Sequence, residues 1–459
     1  MSAVIQSRKA CTVNPLKMGQ PIGGALAFMG IADCMPMLHG SQGCTAFGLV
    51  LFQRHFNEGI PMQTTAMSEV ATVMGGLENI GIAILSIQQR TKPAIIGICS
   101  TGVTETKGDD VDGYLKNFRA THPELDQLAL VYVSTPDFKD AFQDGWAKAV
   151  ESMVKGLAEP SSARREGSVN FLVGSHLTAA DIEELREISE SFGLEATILP
   201  DISGSMDGHI PDDFTPNTLG GTPVEAIRRM GEAELTIALG EQMRPAAEAL
   251  MTKTGQPYVL FDRITGIEAT DQLLDCLSQL SGQPVPGKYR RQRSQLIDAM
   301  LDSHFFFGGK KIAIGAEPDL LWNIGSWFSE MGAIIIAAVT TTHSPLLEQM
   351  PCEEVLIGDL EDLEARSAGC DLLITHSHGR QAAARLDIAF LRMGLPIFDQ
   401  LGAAHRLSLG YRGARDLTFE IGNLLMAQEE ENRPDSWPLP MEDHDAHAPF
   451  AFGSGCGTQ

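Results

Sequence analysis

Cys44 stands in a setting suited to binding iron. It lies in His39-Gly40-Ser41-Gln42-Gly43-Cys44-Thr45, with no second cysteine close enough for a familiar metal-binding pair. Residues 45–56 read as a helix, so Cys44 falls where backbone N–H groups and the helix dipole favour an anionic sulfur, the form that binds iron. An iron–sulfur cluster takes about four such ligands, so a single one implies that the others come from a partner chain. Taken alone, Cys44 is more simply a small apolar side chain of the core.

Other residues with chemical potential carry less. The eight cysteines, at 11, 34, 44, 99, 276, 352, 370 and 456, show no C-x-x-C spacing. They are not a disulfide framework. Cys99 ends an apolar run and reads as core. Met35 and Met37 read as core or subunit interface. His376-Ser377-His378-Gly379-Arg380 follows an apolar strand, at the carboxyl end where α/β proteins place ligands. Its imidazoles and guanidinium suit an anion, although a loop of satisfied polar side chains is the commoner outcome. His444 and His447 sit among acids in the terminal tail and read as a solvated run. Gly282 to Lys288 imitates a phosphate-binding loop, but Pro284 and Pro286 remove N–H donors and Tyr289 replaces the required hydroxyl residue. A linker is expected there. Residues 101–110 read as a strand-to-helix turn with capping residues, in which Gly102 lets the backbone approach another group closely.

Short aliphatic runs alternate with helical patterns, the mark of βα units around parallel sheets. Strands are expected at 94–99, 128–133, 169–173, 196–199, 235–239 and 258–261. They resume at 311–314, 333–339, 355–357, 372–375 and 396–398, with a helix over 319–331. Breaks rich in turn formers fall at 159–167 and 281–288. The expected organisation is three Rossmann-like α/β domains with mostly parallel sheets flanked by helices: 1–165, joined by 415–459, then 166–287 and 288–414. Residues 428–459 are acidic, proline-bearing and glycine-rich at the end, and an extended tail is expected.

Across 459 residues, 43% are hydrophobic, enough for several cores, and the formal net charge is -25. Such acidity argues against nucleic acid or an anionic membrane as main partner. No apolar stretch reaches the roughly 18 to 20 residues of a membrane span, and no secretory signal is read at the start. A cytoplasmic location is expected.

Several motifs together carry a resemblance. Asn14-Pro15-Leu16-Lys17-Met18-Gly19-Gln20-Pro21-Ile22-Gly23-Gly24, the segment from Met37 to Cys44, Arg54-His55-Phe56, Met74-Gly75-Gly76 and Lys107-Gly108-Asp109-Asp110 resemble the nitrogenase component 1 family in order and spacing. Gly220-Gly221-Thr222, Gly315-Ala316-Glu317-Pro318-Asp319, residues 394–399 and residues 409–413 extend the likeness over nearly the whole chain. The family's catalytic β subunit has two further cluster cysteines, at positions that fall here on Gly19 and Gly102. Glycine offers no thiolate, so an eight-iron cluster of the catalytic kind is not expected. The resemblance is instead to the branch that matures the iron–molybdenum cofactor, in which one 4Fe-4S cluster sits between subunits, with three cysteines from a NifE-like α chain and one from its β-like partner.

Within that resemblance Cys44 is the expected iron ligand, and the chain is expected to be a scaffold subunit rather than an enzyme. It also implies an α2β2 heterotetramer, transient docking of the Fe protein NifH, and a NifB-derived precursor cluster held mainly by the NifE-like chain. Two alternatives remain open at this point: a catalytic β-type subunit of a nitrogenase-like or protochlorophyllide-reductase-like oxidoreductase, and a metal-free α/β binding protein in which Cys44 is a core thiol.

Overall fold

Three wholly parallel sheets organise the chain, in a computed structural model that describes residues 1–431. The first has the strand order Gln63–Thr64, Cys34–His39, Ile95–Ser100, Ala129–Val133. The second runs Glu195–Leu199, Ser168–Val173, Leu235–Leu239, Tyr258–Phe261. In the third, Lys311–Gly315 lies inside, with Ile334–Thr340 and Glu354–Ile357 to one side and Leu372–Thr375 and Ala389–Arg392 to the other. Apart from an N-terminal edge strand on the third, each sheet therefore starts at an inner strand, builds outward on one side and then crosses to the other. That reversal opens a crevice beyond the carboxyl ends of two neighbouring strands, where α/β folds bind ligands.

Burial on both faces explains the near-continuous apolar strands. Ile95–Ser100 is buried at every position, and Phe28 lies so close over Gly97 that a Cβ there would come within 2.2 Å of the ring. Phe28 belongs to the helix Gln20–Met29, itself fully buried against the helix Phe142–Leu157. Gly23 and Gly145 permit that approach, since a Cβ at Gly23 would lie 1.9 Å from the Phe142 carbonyl oxygen and one at Gly145 2.0 Å from that of Gln20.

The expected breaks at 159–167 and 281–288 fall between the sheets, and Gly282 and Pro286 flank the turn between the helices Ile267–Ser281 and Gly287–Phe307. Both chain ends differ from expectation. Ala3–Gln6 adds an edge strand to the third sheet, in register with Glu354–Ile357, instead of staying with residues 14–165. The helix Gly410–Glu431 packs along Gly287–Phe307, and Leu417, Ile421 and Leu425 enter the core of the third unit rather than the first. Both are long-range pairings that no local pattern encodes.

Residues 396–398 are irregular instead of forming the expected strand, and Ala389–Arg392 takes the sheet position. Pro396 has no N–H to donate. The next two N–H groups go to side chains, Ile397 to His55 Nδ1 at 2.9 Å and Phe398 to Ser377 Oγ at 2.9 Å.

Candidate functional site

The first sheet's crevice is the place that Cys44 occupies. Cys34–His39 and Ile95–Ser100 run side by side to their ends, with His39 opposite Ser100. Gly40 then turns against Thr101, whose Oγ1 would lie 2.2 Å from a Cβ at that glycine. The Thr101 hydroxyl donates to the His39 carbonyl at 2.9 Å and ties the two turns together. His39 is buried and neutral, pushed down to about 4 by desolvation.

From this turn the helix Gln42–Phe56 departs, with Cys44 in its first turn. The Ser41 side chain makes no capping hydrogen bond and instead approaches Cys44 Sγ at 3.7 Å. The helix N-terminus therefore keeps N–H donors free for an outside acceptor. Cys44 is half-buried, between exposed Gly43 and buried Thr45. Cys34 and Cys99 are fully buried and burial pushes both thiols up, away from the ligating form. Burial likewise raises Cys370 to about 12. Cys456, His444 and His447 lie outside the described residues. No group of three or more His, Cys, Asp or Glu among the described residues is arranged to hold a metal ion. A cluster on Cys44 would need ligands from another chain.

The surface beside Cys44 suits such a chain. Phe47 and Val50, on the same helix, are 56% and 55% exposed. Val73 and Met74 protrude from the helix Glu69–Met74, which is held to the helix Gly102–Lys107 by a hydrogen bond from Lys107 Nζ to the Val73 carbonyl. Val103 and Phe138 add to the apolar exposure. An apolar surface of this kind marks a protein contact. Gly19 and Gly102 come together here as well, because a Cβ at either would meet Asp137. No motif singled out Asp137, and its place beyond the strand Ala129–Val133 was the one available signal.

The other two crevices meet at a cavity of about 100 Å³ that draws its walls from all three units, including His55, His176, Glu317, His376 and Ile397. His376 is structural: its Nε2 lies 3.1 Å from the Leu16 carbonyl, its Nδ1 accepts from the His378 N–H at 3.3 Å, and burial holds it neutral at about 4. His378 and Arg380 are exposed, and among the described residues Arg380 reaches only Asp399, at 3.4 Å. Arg392 already holds Asp399 through two 2.9 Å hydrogen bonds. This arrangement matches a loop of satisfied polar groups. Glu317 and Asp319, in a motif quoted above, form an acidic junction with Asp144. Burial first, with the charge of Asp144 acting in the same direction, pushes Glu317 up to about 8 and Asp319 to about 7.

Comparison with known proteins gives consistent results. Residues 19–426 match the family described as nitrogenase component 1 type oxidoreductase. The nitrogenase iron-molybdenum cofactor biosynthesis protein NifN of Bradyrhizobium diazoefficiens is 60% identical, with 95% of each chain covered. The NifN proteins of Nostoc sp. and Rhodobacter capsulatus are 48% and 45% identical, over 94% and 97% of this chain and 97% and 99% of theirs. A solved chain of nitrogenase Cp1 at pH 6.5 superposes with a TM-score of 0.89 at 31% identity, covering 94% of this chain and 96% of that one. A further Cp1 chain, at pH 5, gives 0.69 at 16% identity over 93% and 92% of the two chains, and speaks for the fold alone. With its parallel sheets, its crevices and matches over nearly its whole length, the chain belongs to the nitrogenase component 1 family.

Proposed function

We propose that this chain is the NifN-type β subunit of a scaffold on which the iron–molybdenum cofactor of nitrogenase is matured, and that Cys44 supplies one ligand to a 4Fe-4S cluster shared with a NifE-like α subunit. The observation that carries the proposal is Cys44 itself: a half-exposed thiol at an uncapped helix N-terminus, beside an apolar surface and with glycine at 19 and 102. Relatives named for cofactor biosynthesis over nearly the whole chain support the same reading. A scaffold, rather than a catalyst, is the role that fits one thiolate.

The cluster, when bound, would relay electrons between subunits. The chain's own residues do the rest. Cys44 offers the anionic sulfur, the free N–H groups of the first helical turn stabilise negative charge near it, and Phe47, Val50, Val73 and Met74 keep water from the joint once a partner covers them. The precursor cluster made by NifB is the cargo, held mainly by the NifE-like chain, with the Fe protein NifH docking transiently. A second apolar stripe, Ile297, Leu301 and Phe305 on the helix Gly287–Phe307, offers a further contact in keeping with an α2β2 assembly. No helix among the described residues is long and apolar enough to cross a membrane. Cytoplasmic placement accords with this reading.

The test is iron content and EPR of the anaerobically co-purified complex from a host lacking the precursor, with the native chain and Cys44→Ala side by side. The expected result is a four-iron signal per αβ pair that is lost or altered in the variant while the fold persists. A spectrum indifferent to the substitution rejects the assignment.

A further inference from the structure

We propose that Asp137 occupies the space that side chains at 19 and 102 would need, and that its charge holds down the potential of the cluster there. The inference rests on the reading of Cys44 as a cluster ligand.

Two glycines begin helices on this face, Gly19 as the N-cap of Gln20–Met29 and Gly102 as the first residue of Gly102–Lys107. Both abut one side chain. A Cβ at Gly102 would lie 2.1 Å from Asp137 Oδ1 and 3.0 Å from its Cγ, and a Cβ at Gly19 would lie 3.3 Å from Asp137 Cβ and 3.9 Å from its Cα. The contact with Gly19 is made by atoms that the backbone fixes. Only the carboxylate can turn away, and it stands over Gly102. Any side chain at 102 thus competes with Asp137 for the same space, and one at 19 is already confined.

The site is continuous with Cys44. Asp137 follows the strand Ala129–Val133, Gly102 follows Ile95–Ser100 and Cys44 follows Cys34–His39, three strands adjacent in the sheet, and Gly40 touches Thr101. Among the described residues Asp137 has no hydrogen bond or ion pair to spend its charge on. Asp137 is exposed in the single chain, and a negative charge beside a cluster disfavours adding an electron, because the reduced form carries more negative charge; covering by a partner would weaken the solvent screening.

Two measurements on the full co-purified complex test this. Asp137→Asn keeps the size and removes the charge. The midpoint potential of the four-iron signal is expected to move upward at unchanged iron content, while a control at a distant exposed acid, Glu248→Gln, leaves it in place. An unmoved potential overturns the electrostatic half, and so does an iron signal indifferent to Cys44, which would sink the ligand assignment too. The packing half is judged separately by thermal unfolding. Gly102→Cys is expected to lower the melting temperature in the native background and to be tolerated in an Asp137→Gly background. An equal loss in both backgrounds overturns it, whatever the cluster does.

Discussion

The carboxyl of Asp319 makes stability depend on pH in a direction that its surroundings fix. Asp319 is fully buried at the junction of the three units. One oxygen accepts the Gln242 N–H at 3.0 Å and the other has no partner among the described residues. Desolvation first, and then the neighbouring charges of Glu241 and Asp144, push its pKa from an ordinary 3.8 to about 7 against the pull of Gln242. Between those values the unfolded chain has released the proton and the folded chain still holds it. The unfolded state binds fewer protons, so stability falls as pH rises through this window and is flat above it. From pH 5 to pH 7 the loss amounts to about 2 kcal/mol, because the full slope of about 1.36 kcal/mol per unit fades as pH nears the folded value. Asp319→Asn removes this contribution and leaves that of Glu317 in place. Relative to the native chain, the variant is expected to gain roughly 4–8 °C in melting temperature between pH 5 and pH 7.5, taking about 2–4 °C per kcal/mol for a unit of this size. Scanning calorimetry of both proteins at the two pH values reads this directly. A variant that tracks the native chain at both would refute the claim that the Asp319 carboxyl is held protonated by burial.

Gly23→Ala gains about 1 kcal/mol of helix propensity but drives a Cβ to 1.9 Å from the Phe142 carbonyl oxygen, so a net loss of about 2 kcal/mol is expected in thermal unfolding, and an unchanged midpoint would contradict the packing described. Phe47→Asp is expected to leave folding of the chain within about 0.5 kcal/mol, since the ring is 56% exposed, yet to abolish co-purification with the α-type partner. Retention of the complex would remove that face from the interface.

Much of the fold was legible locally. The strands expected at 235–239, 258–261 and 372–375 are found with those limits, and most others lie within a residue or two, because buried parallel strands are written as short unbroken apolar runs. The strand at 396–398 misled because its apolar composition hid where its N–H groups go, to His55 and Ser377. The N-terminal strand and the helix Gly410–Glu431 were misassigned because pairing across more than 300 residues, or packing of one helix along another, leaves no periodic trace in either segment.

Sequence by itself determined the α/β class, the chemistry available to Cys44 and the absence of thiolates at 19 and 102, because residue type and short-range spacing are local properties. Tertiary structure alone decided what surrounds them. It brought Gly19, Gly102 and Asp137 to one face from three parts of the chain, left Cys44 half-open beside Phe47 and Val50, and turned His376 inward to the Leu16 carbonyl. The physical reason is that burial and proximity arise only when distant strands share a sheet, and those two quantities decide whether a thiol, an imidazole or a carboxylate is a ligand, a strut or a wall.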